Sequence, residues 1–350
     1  MNKISIIHDA IIYKWDNVNL VKYKNWKKHK QSKLNIETFG VESYPFMLQV
    51  EPSSYCNLKC PYCPTGNDTM EREKRNLKLS EFKSVVDDME KYLLFMVLWE
   101  WGEPTINPEL PEMIKYASKR NIKTVTSSNA QLLTNNDLCE RLLKSGLSTL
   151  IMALDSLNET KYNNFRRGGD FSKAINGIQN IVNMKKNIGS KTLLNLRMVM
   201  TKENENEVDA ITRFAKETGV DKFTIKTVNP NCQSHDFVDD ENVMPSNPKY
   251  RRYLYEPNSC KRIISKSPCN RVWKMTSIYS NGDVVPCCYD YNSDMKIGNI
   301  LDNPLTEIWM GEEYKKLRKK IFEGNYKIPI CDVCTTRFKH KGKWVREINL

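Results

Sequence analysis

Three cysteines fall within eight positions of this 350-residue chain, in Glu51-Pro-Ser-Ser-Tyr-Cys56-Asn-Leu-Lys-Cys60-Pro-Tyr-Cys63-Pro64, spaced C-x3-C-x2-C. Cys thiolates hold iron–sulfur clusters, and three this close suit three irons of a [4Fe–4S] cubane. No fourth Cys or His stands nearby to complete the shell. The fourth iron would keep an open position, which is where chemistry happens. A structural zinc knuckle needs four closed ligands, so it fits less well, as do three unrelated buried thiols.

A second set lies near the other end. Cys269 precedes the turn Asn281-Gly282-Asp283, a hairpin signal, then Cys287-Cys288 and, after a gap, Cys331-Asp-Val-Cys334. Four thiolates from this set close a zinc shell or saturate a [4Fe–4S] cluster, and chemistry alone does not choose the metal. Cys139 suits a helix core. Cys232 and Cys260 stand alone as free thiols.

These residues need elements to hold them. Between Pro45 and Thr227 short apolar runs alternate with amphipathic segments. Strands are expected at 46–50, 94–99, 123–127, 149–154, 193–200 and 222–226. Helices are expected at 79–92, 108–120, 135–145, 171–186 and 205–218, with Pro108 near a first turn and Gly146 and Gly219 as C-caps. This alternation means a parallel sheet clothed in helices. Six such units make a partial (β/α)6, TIM-like barrel, with working residues at strand C-termini. Along the fifth strand, period two puts Asn195 and Arg197 on one face.

C-x3-C-x2-C, with the aromatic Tyr62 directly before the last Cys, resembles the signature of the radical S-adenosylmethionine (SAM) superfamily. Glu100-Trp101-Gly102-Glu103-Pro104 is similar to that family's Gly-Gly-Glu-Pro motif, with Trp101 for the first Gly. Ser127-Ser128-Asn129-Ala130 occupies the slot of a Thr-Asn-Gly, departing at Ala130. Ala153-Leu154-Asp155-Ser156, followed by Tyr162 and Arg166, resembles a Ser-hydrophobic-Asp…Tyr…Arg pattern. The resemblance implies that the SAM amino and carboxylate groups chelate the open iron. An electron from the reduced cluster then cleaves SAM to methionine and a 5′-deoxyadenosyl radical, which abstracts a substrate hydrogen. It implies Gly102 and Glu103 around the SAM amino group, Tyr62 as a further cofactor-binding residue, Ser128 and Asn129 near ribose and methionine, and Asp155 toward ribose or substrate. If its face lines the barrel, Arg197 is a natural partner for the SAM carboxylate; otherwise it is an arginine at a strand edge.

The second cysteine set, with its Gly282-x4-Cys287 spacing, resembles the SPASM auxiliary-cluster domain in its shortened form, Twitch. No cysteine follows Cys334, so one auxiliary [4Fe–4S] cluster is expected on Cys269, Cys287, Cys331 and Cys334, with Cys288 the rival for Cys287. The expected organisation is an N-terminal extension over 1–44 that carries no chemistry, a barrel over 45–235 and an α+β auxiliary-cluster domain over 236–350.

A closed auxiliary cluster is best suited to accept an electron, which favours net oxidation, a dehydrogenation, of a small polar substrate: an oxidoreductase. The alternative is a peptide-modifying maturase or an epimerase, in which Cys232 or Cys260 returns a hydrogen atom. A non-catalytic metal scaffold is the remaining reading, and it leaves the Glu103 and Asn129 motifs without purpose.

Composition bounds the partners. A net charge of +12 suits an acidic or phosphorylated substrate, or simply solvated faces. The basic run from Lys22 to Lys33 has no nucleic-acid motif. No stretch of eighteen apolar residues suggests a membrane span, and Asp9 and Lys14 interrupt any signal-peptide layout. A cytoplasmic location is expected, where eleven cysteines point to metal rather than disulfides. A reducing partner such as flavodoxin or ferredoxin is implied.

Overall fold

A computed structural model describes residues 2–31, 35–229, 239–265, 269–324, 328–332, 334–342 and 345–350. Cys232 lies outside the described residues, as does the junction drawn at 235/236.

The described chain begins with a hairpin, β1 (Ile4–His8) and β2 (Ile11–Trp15), and helix α1 (Leu20–Gln31). Then come the alternating units: β3 (Met47–Val50), α2 (Leu79–Met89), β4 (Phe95–Val97), α3 (Leu110–Ser118), β5 (Lys123–Ser128), α4 (Asn136–Lys144) and β6 (Thr149–Ala153). Helices α5 (Glu159–Phe165) and α6 (Phe171–Ile188), β7 (Leu193–Met200), α7 (Val208–Thr218) and β8 (Lys222–Thr227) complete them. All six expected strands form and pair in parallel, β3 through β8. Local chemistry sets the helix ends. Asn135 and Asp170 accept hydrogen bonds from Leu138 and Lys173 at the starts of α4 and α6, as N-caps do. The segment expected to be helical from 205 opens instead as a 3-10 turn, Glu205–Glu207.

Beyond residue 239 lie β9 (Ser277–Ile278), β10 (Asp283–Val285), β11 (Gly298–Asn299), α8 (Leu305–Met310), α9 (Glu312–Gly324), α10 (Pro329–Asp332) and β12 (Val345–Ile348). These strands join the sheet instead of forming their own, giving the order β11-β10-β9-β3-β4-β5-β6-β7-β8-β12. β9 runs parallel to β3, with Gln49 opposite Ser277. β12 runs antiparallel to β8.

Alternate residues of the central strands face two cores. Leu48, Met96, Leu150 and Met152 pack under the helices. Phe95, Val97, Val125 and Ile151 face the lumen, where they meet Ile4, Ile11, Tyr13 and Trp15 of the hairpin. The hairpin therefore plugs the partial barrel. Tyr13 Oη donates to Thr149 Oγ1 at 2.9 Å, at the start of β6. Asp9, in the turn, pairs with Arg197 midway along β7. The plug thus enters from the strands' N-terminal ends and points its turn toward their C-terminal ends. No helix among the described residues is long and apolar enough to cross a membrane.

Candidate active site

The cysteine loop follows β3 and is held from three sides. Fully buried Glu51 accepts from Arg72 Nη2 at 2.5 Å, from the Trp101 amide at 3.3 Å, and from the amide and hydroxyl of Ser280 at 3.1 and 3.0 Å. Inside the loop, Cys63 N donates to Cys60 O at 3.2 Å and Gly66 N to Cys63 O at 2.9 Å. A Cβ on Gly66 would stand 2.4 Å from the Cys60 nitrogen, so the turn needs glycine there. Gly102 is tighter still: its Cβ would meet Ser53 O at 2.0 Å. This is the close backbone approach that its motif implied. Glu103 N donates to Tyr55 O at 2.8 Å and locks the two loops together.

A cavity of about 490 Å3 opens over this loop at the strands' C-terminal ends. Cys56, Cys60, Cys63, Tyr62, Gly102, Glu103, Ser128, Asn129 and Arg197 all line it, so the first cysteine set and the residues expected around SAM, Asp155 excepted, meet in one place. Glu103 is buried; its carboxylate accepts from Thr105 Oγ1 at 2.5 Å and from Asn129 N at 2.8 Å. Burial pushes its carboxyl above the ordinary range, against these hydrogen bonds. Asn129 Nδ2 in turn donates to Asn57 Oδ1 at 2.7 Å. Ala130, where the resembling motif has Gly, carries φ of +67°, a conformation that favours glycine.

Asp155 stands just behind the wall. It accepts from Arg166 Nε at 2.5 Å and from Val199 N at 2.7 Å, so it anchors Arg166. Arg166 Nη1 reaches to 4.0 Å from Cys60 Sγ and lines the cavity. Sequence reasoning noted this arginine without giving it a place in the site. Burial raises the Cys56 thiol to about 12, and it and Cys60 feel the other thiols of the loop. The three half-buried thiols share the cavity wall, where iron could hold them as thiolates. Among the described residues no three His, Cys, Asp or Glu side chains stand close enough to grip a single ion, whereas a cubane spreads its thiolates over separate irons.

The N-terminal segment, expected to carry no chemistry, needs correction. His8 and Asp9 line the same cavity. Asp9 Oδ2 accepts from Arg197 Nη1 at 2.6 Å. An alternating run of only ten residues signals a hairpin weakly, and its turn has Asp9 and Ala10 at positive φ with no glycine to announce it. Lys226, Arg252 and Arg271 also line the cavity. Only the fold shows that they converge.

The second thiol set is adjacent. Burial pushes Cys287 well up, with Cys288 and Cys334 adding to the rise. Cys331, raised to about 12 by burial, is coupled in the same way to Cys334 and Cys269. These mutual influences put Cys269, Cys287, Cys288, Cys331 and Cys334 in one neighbourhood. Cys288 also lines the cavity, and Arg271 Nη1 lies 3.4 Å from its sulfur. Cys139 is buried and donates to Leu133 O at 3.1 Å, and Cys260 donates to Glu241 Oε1 at 3.3 Å.

Residues 50–215 match the radical SAM superfamily, and residues 269–335 match SPASM, an iron–sulfur cluster-binding domain. This chain belongs to the radical SAM superfamily and carries a C-terminal SPASM domain. Its cofactors are accordingly SAM, a [4Fe–4S] cluster and an auxiliary cluster. It is 25% identical to the tungsten-containing aldehyde ferredoxin oxidoreductase cofactor-modifying protein of Pyrococcus furiosus, over 83% of this chain and 87% of that protein. It is 23% identical to the mycofactocin maturase MftC of Mycolicibacterium smegmatis, over 79% of this chain and 73% of the relative. Its fold is similar to that of Streptococcus suis SuiB bound to S-adenosylmethionine, with a TM-score of 0.60 and 19% identity, covering 84% of this chain and 71% of SuiB.

Proposed function

We propose that this enzyme cleaves SAM reductively and takes a hydrogen atom from a small polar substrate, which then loses a proton and a second electron, a net dehydrogenation. The observation that carries this reading is the shared cavity. Cys56, Cys60 and Cys63 line it together with Cys288, the chain neighbour of Cys287. A substrate held there lies between the two thiol sets. When bound, the two clusters supply a one-electron donor and a one-electron acceptor.

The chain's own residues bind and orient. Cys56, Cys60 and Cys63 hold the first cluster; Cys269, Cys287, Cys331 and Cys334 hold the second, and Cys288 is left on the substrate side. Glu103 accepts from the SAM ammonium, while Ser128 and Asn129 hold its methionine and ribose portions. Asp155 fixes Arg166 beside Cys60, where the guanidinium favours thiolate by charge. Tyr62 closes the loop against Phe165, ring to ring at 6.0 Å. A flavodoxin- or ferredoxin-like protein is the fitting reductant, and the cytoplasm the fitting location for exposed thiol ligands.

A second reading is modification of a precursor peptide. It rests on similarity: one relative is named a mycofactocin maturase, and SuiB has been solved bound to its precursor peptide SuiA.

The deciding experiment is anaerobic reconstitution with iron and sulfide counting, followed by dithionite-driven SAM cleavage. The variant with Cys56, Cys60 and Cys63 all changed to Ala serves as comparison. The expected result is about eight irons in wild type and about four in the variant, since each cubane holds four, with 5′-deoxyadenosine from wild type alone. About four irons plus a zinc in wild type would remove the electron acceptor and the dehydrogenation with it. Absence of deoxyadenosine would overturn the reading as a whole.

A further inference from the structure

The cavity holds more positive charge than its acids neutralise. Asp155 occupies Arg166, and Asp9 occupies one edge of Arg197. Glu103 accepts from Thr105 and Asn129. Burial pushes the Glu100 carboxyl well up, which favours its neutral form. Lys226 and Arg271 remain on the lining.

Arg197 supplies a second, independent observation. It is 6% exposed, donates through Nε to Thr224 Oγ1 at 3.2 Å and through Nη1 to Asp9, yet its buried Nη2 has no hydrogen-bond partner. Buried guanidinium groups are normally satisfied, and an unmatched one is costly. The same holds for His8 Nδ1 beside it in the hairpin tip. Thr224, which accepts from Arg197, and Lys226 lie two residues apart on β8 and share a face. A donor edge, an ammonium and a guanidinium thus share one lining, with Asp9 acting on both Arg197 and Lys226 and the Cys288 sulfur against Arg271 as the groups that face them, while Arg197 Nη2 is left unmet.

We propose that Arg197, Lys226 and Arg271 form an anion subsite for the phosphate or carboxylate of the substrate, with Asp9 of the hairpin plug as the positioning residue that aims Arg197. This deepens the reading above and rests on it for the word substrate. The residues assigned to SAM, Glu103, Ser128 and Asn129, stand at the ends of β4 and β5. Lys226 is on β8, three strands further along the curved sheet. Arg197, which its inward face also offers to the SAM carboxylate, is here assigned to the substrate because Lys226 stands with it away from the SAM residues; retention of the anion site with SAM bound separates the two assignments.

The test is calorimetric titration of the anaerobically reconstituted full chain with inorganic phosphate and, separately, with acetate. Ionic strength is held constant with sodium chloride, and each titration is run with and without saturating SAM. One saturable site for either anion, retained when SAM is bound, is expected; the preferred anion names the substrate's group. Lys226→Met, with iron content and circular dichroism matching wild type, should weaken it at least tenfold, and Lys226→Gln should do the same. Lys216→Met removes the same charge from the exposed side of α7 and should change nothing. Asp9→Asn removes a negative charge and yet should weaken binding, because Arg197 loses its tether; tighter binding would overturn the positioning role. Absence of a saturable site, equal loss in Lys216→Met, or competition by SAM would each overturn the subsite. Deoxyadenosine formation by the same preparation keeps the two readings apart. Cleavage without anion binding sinks only this inference, and anion binding without cleavage sinks only the reading before it.

Discussion

Ala130 shows how a departure from a motif can be explained by one dihedral angle. Its φ of +67° and complete burial place a methyl group where glycine has no penalty. Its carbonyl lies so near α6 that a Cβ on Gly177 would stand 2.3 Å from it. Left-handed backbone costs an L-residue about 1–2 kcal/mol, while glycine loses about 0.5–1 kcal/mol through unfolded-state entropy. Ala130→Gly should therefore be neutral or stabilising by up to about 1 kcal/mol. Ala130→Val, β-branched in the same conformation, should destabilise by about 2 kcal/mol or more through strain and overpacking. Urea denaturation of both variants checks this. A large loss in Ala130→Gly would mean that the methyl group, not the turn, matters at this position.

At the scale of elements, α1 docks through a polar residue. His29 is 2% exposed, its ring meets Phe46 edge-on at 4.9 Å, and its Nδ1 lies 3.3 Å from Ser43 Oγ. Burial, helped by Lys274, lowers its pKa from 6.5 to about 4. The unfolded chain then binds the proton more readily than the folded one. The associated stability is fully present above pH 6.5 and is lost as pH falls toward the folded-state value. The loss between pH 7 and pH 4.5 should be about 2 kcal/mol from this residue. His29→Asn should flatten that slope in urea melts across the range; an unchanged slope would assign the acid sensitivity to other groups.

The elements also show what sequence can and cannot disclose. The six central strands and their helices were legible because each carries its own periodicity and end signals, such as Asn135, Gly146 and Gly219. The three-cysteine loop was legible because its spacing is local. The plug was not, since only the fold shows that Ile11, Tyr13 and Trp15 meet Phe95 and Val125. The turn at Asn281-Gly282-Asp283 announced the hairpin of β9 and β10, but β11, two residues long, is too short to show any period. Alternation put Arg197 and Asn195 on one face, but which way that face points was not legible. Nor was the pairing of Arg197 with Asp9, because no local pattern links residues so distant in the chain.

Across the whole molecule, Glu51 joins three distant segments: the cysteine loop, the Trp101 strap and the Ser280 turn of the C-terminal half. Its partner Arg72 is equally buried and stacks on Tyr279 at 4.2 Å. Breaking a buried pair from one side costs about 3–5 kcal/mol, because the survivor is left uncompensated. Glu51→Ala should lower stability by that amount and reduce iron at both thiol sets together. Glu51→Ala combined with Arg72→Met should recover part of the loss. Iron depletion confined to the first set would show that the two halves are not mechanically joined here.

The pairing of β3 with β9 has a consequence for biogenesis. Cys56, Cys60 and Cys63 leave the ribosome more than two hundred residues before β9, which flanks their strand. Chains fold from the N-terminus as they are synthesised, yet this edge cannot close until Ser277 and Ile278 have been made. In the interval three thiols sit on an unfinished rim, open to whatever metal reaches them first. The edge beside the reaction centre thus closes long after the first cluster's ligands have been made.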